Sequence, residues 1–470
     1  MPPFFILEMK SFSVPRILIS SHKGGAGKTL FTVGLISALK SRGLKVASFK
    51  KGPDYIDAGW LSKTSQVSCR NLDLFLFDEE KNKLSFYRGS LGADISVIEG
   101  NRGLFDGMDA EGSCSTARLA RVLDSPIILV LDCTKVTRSL AALVKGFVEF
   151  EEGLNIKGVI LNKIARKRHE DVITKAIENY TSVKVLGAIP KLKNLPPERH
   201  LGLVTSCEYR DCEFLKELTS YIEKGVNLDE LIEIAKDVKP ISLQEKEEVK
   251  GKIFEGLNLG VFKDEAFQFY YPENLEALES LGAKFTWING LETRRLPQVD
   301  GVYIGGGFPE VKAEELAENR DLAKDLKEAI EDGLPVYAEC GGFMYLGREI
   351  EWNSKTYPMT GVLPIRFVVE KRPQGHGYVI GRVKQKNPYF PEGLLIKGHE
   401  FHYSRPVTID ESKEMKYILE LEKGFGINGK YDGILYKNLV AGYTHIHIFS
   451  VKCWAENFLR KVEEFKVKNK

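Results

Sequence analysis

A short apolar stretch, Arg16-Ile-Leu-Ile-Ser20, runs into Ser21-His22-Lys23-Gly24-Gly25-Ala26-Gly27-Lys28-Thr29, and the apolar run Leu30-Phe-Thr-Val-Gly-Leu-Ile-Ser-Ala-Leu39 follows directly. Strand, glycine loop and helix in that order are the context of a phosphate-binding loop. This unit restricts the fold severely, because its helix must pack back on a sheet of parallel strands. Glycines let successive backbone N–H groups wrap a phosphate, and the helix N-terminus adds partial positive charge. Lys23, Gly24, Gly25, Gly27, Lys28 and Thr29 are therefore the candidate nucleotide-binding residues, with Lys28 for the β- and γ-phosphates and the Thr29 hydroxyl for Mg2+. His22 stands where the first glycine of such loops usually lies, and Lys23 makes this the deviant Lys-Gly-Gly-x-Gly-Lys-Thr form.

Apolar runs at 16–20, 45–49, 95–98, 127–131, 158–161 and 183–188 alternate with helical segments, which predicts a mostly parallel sheet covered on both faces. Ligands of such sheets gather at the carboxyl ends of the strands. A charged stretch over 224–250 reads as an exposed helix and linker. A second α/β series starts near Leu257, with strands expected at 301–304, 335–338 and 439–447. The chain thus divides into residues 1–223, a linker over 224–250, and residues 251–470. At 470 residues two domains are expected.

A net charge of +2 leaves no strong field for nucleic acid or membrane. The apolar N-terminal stretch is too short for a signal peptide, and no run suits a spanning helix. Seven scattered cysteines suit a reducing cytoplasm rather than a disulfide framework, and Cys207 with Cys212 lacks the second pair of a metal site. The amphipathic tail from Trp454 reads as a helix packed on its own domain in preference to a membrane anchor.

A second constellation lies in Leu334-Pro-Val-Tyr-Ala-Glu339-Cys340-Gly341-Gly342-Phe-Met344. An apolar strand that delivers a thiol onto two glycines and a helix reads as a nucleophile elbow. The helix N-terminus is expected to lower the thiol pKa and favour the thiolate. Further on, Gly442-Tyr-Thr-His445-Ile-His447 places two histidines on one face of a strand. A buried structural cysteine is the plain alternative; the glycine pair and the histidines favour a catalytic thiol.

Acids close the strands of the first half: Lys50-Lys51-Gly-Pro-Asp54-Tyr55-Ile-Asp57, then Glu99, then Asp106. Mg2+ takes hard oxygen ligands and only one or two carboxylates beside phosphates and waters, so Thr29, Asp54 and Glu99 are its candidates. Asp57 and Asp106 are left to orient a substrate carboxylate, Arg102 is a carboxylate clamp or a surface cation, and the Asn162 amide would meet a purine edge. His200 is as well explained by structure as by function.

With these residues in view, the chain resembles the cobyrinic acid a,c-diamide synthases, glutamine- and ATP-dependent amidotransferases of corrin biosynthesis. The resemblance rests on collinear segments along nearly the whole chain: the glycine loop, Lys50 to Asp57, Arg70-Asn-Leu-Asp73, Glu99-Gly-x-x-Gly-Leu-Phe-Asp106, Pro196-x-Glu198-Arg199-His200, Ala266-Phe-x-Phe-Tyr-Tyr-Pro272, Gly305-Gly-Gly-Phe-Pro-Glu310, Glu339-Cys-Gly-Gly342 and Gly398-His-Glu-Phe-His-Tyr-Ser404.

It implies two doubly wound α/β domains, a P-loop synthetase domain with a parallel sheet and a class I glutamine amidotransferase-like domain. It also implies catalysis by Cys340 with His445 as general base, His447 being the fallback. Gly341 and the Gly305–Gly307 loop would form an oxyanion hole. Asp54, Asp57 and Asp106 would serve the phosphorylation of a substrate carboxylate, and ammonia would travel through an enclosed passage to the acyl phosphate.

Cobyrinic acid or a related tetrapyrrole, glutamine and ATP are the implied partners, with Mg2+ as cofactor. Nickel-sirohydrochlorin a,c-diamide synthase is the alternative of the same mechanism. The deviant loop alone would suggest a partition-type ATPase, in which Lys23 reaches across a nucleotide-bound homodimer. Glu400, beside His399 and His402, tempts as a third catalytic member and is not assigned.

Overall fold

A computed structural model describes residues 11–193, 198–199, 202–209, 212–244, 251–409 and 414–469. The chain forms two compact units, one within Leu7–Glu247 and one within Glu248–Lys470.

The first unit is built on seven parallel strands: β1 (Arg16–Ser21), β2 (Val46–Lys51), β3 (Arg70–Leu72), β4 (Ile95–Glu99), β5 (Ile127–Asp132), β6 (Ile156–Ile164) and β7 (Lys184–Pro190). Their spatial order is β3-β2-β4-β1-β5-β6-β7. β1 is central and buried along its whole length, as a strand covered on both faces must be. It feeds α1 (Lys28–Ser41) through the glycine loop, while β2 leads into α2 (Tyr55–Ser65).

β3 has no counterpart among the expected strands, since three residues carry no readable alternation. The charged segment expected as exposed helix and linker instead contains α3 (Cys212–Gly225) in part and the whole of α4 (Leu228–Lys236). Leu228, Leu231 and Ala235 of α4 enter the core of the first unit, and Asn227 caps the helix. Their helical spacing forms one apolar stripe on an otherwise charged helix, which composition alone hides.

The second unit is built on ten strands: β8 (Asn258–Phe262), β9 (Lys284–Ile288), β10 (Gly301–Ile304), β11 (Val336–Glu339), β12 (Gly375–Val383), β13 (Leu395–His402), β14 (Lys416–Lys423), β15 (Tyr431–Tyr436), β16 (Leu439–Gly442) and β17 (His445–Ile446). The order is β9-β8-β10-β11-β16-β15-β14-β12-β13-β17, parallel from β9 to β16 and antiparallel beyond.

The strand expected over 439–447 is broken in two. β16 pairs with β11, while β17 pairs with β13 at the other end of the order. A chain of three residues spans at most ~11 Å. The antiparallel strands must therefore curl back until β13 lies beside the end of β16. That return brings β13 to the carboxyl end of β11. β11 leads into the five-residue α5 (Gly341–Tyr345), and the tail forms α6 (Trp454–Lys468). Trp454, Phe458, Leu459 and Val462 of α6 are buried in the unit's core, with the Trp454 ring 5.1 Å from that of Tyr337. Among the described residues no helix is long and apolar enough to cross a membrane.

Candidate active sites

In the first unit the candidate residues converge on the carboxyl ends of β1, β2 and β4. Gly27 takes a left-handed conformation (φ 93°), and a Cβ there would lie 2.3 Å from Asn162 Nδ2, so the loop admits only glycine at this point. Asn162, at the end of β6, donates from Nδ2 to the Ala26 carbonyl at 2.9 Å. Its amide thus braces the loop, and its oxygen accepts from the Lys163 amide. Lys23 is more than half exposed and lies 3.4 Å from Asp132, which also pairs with Lys163. Lys28 folds onto Ser21 Oγ (3.0 Å) and the Arg102 carbonyl (2.7 Å). Burial, then the repulsion of Lys50, lowers its pKa to about 8.

Lys50 is the organising cation. Its ammonium, 1% exposed, donates to Asp57 at 2.6 Å and to Glu99 at 2.8 Å. Burial opposes its charge, yet the attraction of Asp57 and Glu99 prevails and raises its pKa. Thr29 Oγ1 donates to Glu99 Oε1 at 2.8 Å, and Glu99 Oε2 is buried without a hydrogen-bond partner.

Asp54 is placed differently from the expectation. One of its oxygens accepts the amides of Ile56 and Asp57, which makes it the N-cap of α2. Burial and the neighbouring Asp57 raise its pKa to about 7. Asp57 is held low against burial by Lys50, with Asp54 and Thr29 also favouring its charged form. Thr29 is thus among the groups that act on Asp57, while one Asp54 oxygen is taken up by the helix cap.

Asp106 is exposed and accepts the Gly103 amide at 2.7 Å. The Arg102 side chain is exposed, while its positive φ (51°) accompanies a carbonyl turned onto Lys28. Lys50 and Lys51 are both buried. His200 lies outside the described residues. Among the described residues no group of three or more His, Cys, Asp or Glu is disposed to hold a metal unaided. A Thr29–Glu99 pair with one unmatched carboxylate oxygen nevertheless suits a cation that takes its remaining ligands from phosphates and water.

In the second unit β11 runs between β10 and β16, so the loop after β10 and the histidine after β16 flank whatever β11 delivers. It delivers Cys340 at φ 47°, ψ −99°, a strained elbow of the kind that costs ~1–3 kcal/mol and persists where surrounding structure enforces it. The Cys340 amide donates to the Gly442 carbonyl at 2.7 Å and fixes the elbow to β16. Three glycines follow β10 because each meets a different wall: a Cβ would lie 2.5 Å from the Tyr270 ring at Gly305, 2.4 Å from His445 Cε1 at Gly306 and 1.9 Å from the Ala266 carbonyl oxygen at Gly307. The Gly307 amide in turn sits 2.9 Å from where a Gly341 Cβ would be. Cys340, Gly341, the glycine loop and His445 therefore meet at one strand end.

The thiol departs from expectation. Burial, then the negative field of Glu310, pushes its pKa up rather than down, and it donates to the Phe401 carbonyl at 3.5 Å. A five-residue helix has too few aligned peptide dipoles to outweigh a site in which the cysteine is 3% exposed. The resting thiol is protonated, so a base must take its proton.

His445 is 1% exposed, and its Nδ1 lies 3.2 Å from Glu339 Oε2. Its ring stacks at 4.8 Å on His399, a histidine kept neutral by burial. His447 instead approaches Glu273 at 3.5 Å. Glu400 accepts the amides of Phe425 and Gly426 and lies 3.4 Å from His402. Glu339 escaped the sequence reading; the signal was present in the acid at the last position of the strand, directly before the nucleophile.

Residues 17–204 match the family described as the CobQ/CobB/MinD/ParA nucleotide binding domain, and residues 258–452 that of the CobB/CobQ-like glutamine amidotransferase domain. Over nearly its full length the chain is similar to a cobyrinate a,c-diamide synthase of Magnetococcus marinus, at 41% identity covering 94% of this chain and 96% of the relative. It is 37% identical to that of Archaeoglobus fulgidus, covering 97% and 99%. The Listeria innocua relative of the same description is 41% identical, covering 92% and 96%.

Proposed function

The chain belongs to the cobyrinate a,c-diamide synthase family, and from that premise we propose that it amidates the a and c side-chain carboxylates of cobyrinic acid in cobalamin biosynthesis, with glutamine as nitrogen donor and ATP as activator. The observation that carries the reading is the meeting of Cys340, His445 and the Gly305–Gly307 loop at one strand end, in a chain whose other unit holds a phosphate-binding loop.

In the second unit His445 takes the proton of the buried Cys340 thiol, and the thiolate attacks the side-chain amide carbon of glutamine. The Gly341 and glycine-loop amides receive the developing oxyanion, at ~3 kcal/mol per well-placed donor. His445 returns the proton to the departing ammonia. Water then releases glutamate from the thioester.

In the first unit the substrate carboxylate attacks the γ-phosphate of ATP and ADP departs, because ammonia cannot displace oxide from a carboxylate anion and phosphorylation supplies a leaving group. Lys28 leaves Ser21 and Arg102 for the phosphates, and Lys50 holds Asp57 and Glu99 in place. Mg2+ would be held by Thr29, Glu99 and Asp57 and would neutralise charge between the phosphates. Ammonia displaces phosphate from the acyl phosphate to give the amide.

The test is the product formed with ATP, Mg2+ and glutamine when cobyrinic acid and nickel-sirohydrochlorin are offered side by side. Two amidations of the corrin, abolished in Cys340→Ala and restored by free ammonia, are the expected result. Preference for the nickel macrocycle would move the substrate and keep the chemistry. ATP hydrolysis without amidation of either would overturn the assignment.

A further inference from the structure

From the contact between the Glu339 carboxylate and the His445 ring we infer that Glu339, the residue immediately before the nucleophile, is the positioning residue of His445. This rests on the glutaminase reading of Cys340 and His445. Glu339 ends β11 and is 1% exposed. Its carboxylate meets several donors at once: His445 Nδ1 at 3.2 Å and the Tyr303 hydroxyl at 3.4 Å on Oε2, and the Ile446 amide at 3.2 Å on Oε1. A carboxylate accepts only, so the pairing puts the ring proton of neutral His445 on Nδ1 and its lone pair on Nε2. The ring edge at Cε1, between the two nitrogens, faces Gly306, with Nε2 3.1 Å from where a Cβ there would lie. The second oxygen, on the Ile446 amide, fixes the backbone that carries the ring. One side chain thus sets both tautomer and orientation.

Two other acids nearby are committed elsewhere. Glu400 clamps the Phe425–Gly426 amides, and Glu273 faces His447. His399 covers the imidazole face without adding charge. The strand geometry explains how neighbours in sequence serve different sides of one site. Glu339 takes its direction from the pleat of β11, and the positive φ of Cys340 then swings the thiol toward Phe401.

Glutamate release from glutamine, measured in the full-length protein without tetrapyrrole, tests the inference. Glu339→Gln keeps the shape and can still accept from the Ile446 amide, but its NH2 group faces Nδ1 and favours the wrong tautomer. The expected loss in kcat is at least tenfold and about 10²–10⁴-fold if the tautomer effect is full, at unchanged KM for glutamine and unchanged ammonia-dependent amidation. Because Glu339 acts through His445, Glu339→Gln added to His445→Asn should cost nothing further.

A single-variant loss under tenfold, or a double variant whose loss is the product of the two, overturns the inference even if the variants are less stable. A wild type that releases no glutamate, and is matched by Cys340→Ala, would remove the glutaminase reading itself. An active wild type equalled by Glu339→Gln would remove only the role of Glu339.

Discussion

At the ends of β2 and β4, Asp57 and Thr29 join the buried Lys50–Glu99 pair in one network, whereas at the end of β11 the nucleophile's proton rests on a backbone carbonyl amid packed glycines. The first site is organised by charge and the second by steric contact. The difference follows from the chemistry proposed for each. Phosphoryl transfer needs fixed charge around a polyanion, so cations and acids are stored against one another until substrate arrives. Attack by a thiol needs a base and an exact backbone placement, so the site sets one carboxylate, Glu339, on its histidine and relies on walls that only glycine can approach.

The comparison can be broken most severely at Lys50. Lys50→Met should strand Asp57 and Glu99 in the interior and destabilise the first unit by about 3–5 kcal/mol, as removal of one partner of a buried pair does. Urea unfolding at pH 8 measures it, and ATP-dependent amidation should vanish while glutamate release is kept. A fall below 1 kcal/mol would show that charge does not organise this site.

Next in size is Gly306→Ala. The new Cβ would lie 2.4 Å from His445 Cε1, and the ring is backed by His399. Glutamate release should fall about 100-fold, ~2.7 kcal/mol in the barrier, with ATP hydrolysis intact; a mild effect would deny the steric account.

The smallest effect sharpens the electrostatic side. With its pKa raised from 3.8 to about 7, Asp54 keeps in the folded state a proton that the unfolded chain has released. Stability contributed by that proton is complete below about pH 4 and is lost as pH rises toward 7. Asn caps a helix as well as Asp, so Asp54→Asn should be more stable than wild type at pH 8, the gap closing toward pH 4. Thermal unfolding across that range reads the trend directly, and the opposite sign would refute the assignment of the raised group.

Legibility in the sequence differed between the same two regions. Both nucleating motifs were readable because local pattern suffices: a strand, glycines and a helix announce themselves at Gly24 to Thr29 and again at Glu339 to Gly342. What was hidden depended on register or on depth. Glu339 finds His445 only because β16 pairs with β11 and the chain then turns through Tyr443 and Thr444. Asp54 and Asp57 look interchangeable in sequence, and a helix cap separates their roles. The break between β16 and β17 is imposed by the curl of the antiparallel strands, for which residues 439–447 carry no local signal. The thiol's raised pKa reflects burial, which no spacing of residues reveals.

Glu339 and Cys340 are joined by a single peptide bond, with no loop between them to vary in length. In most constellations built from distant segments, insertions or recombination can move an acid and a nucleophile independently. Here the two travel as one heritable cassette. A protein engineer grafting this elbow onto another parallel sheet would transfer both together and would need only the neighbouring strand to supply an imidazole and the opposite loop to supply its glycines.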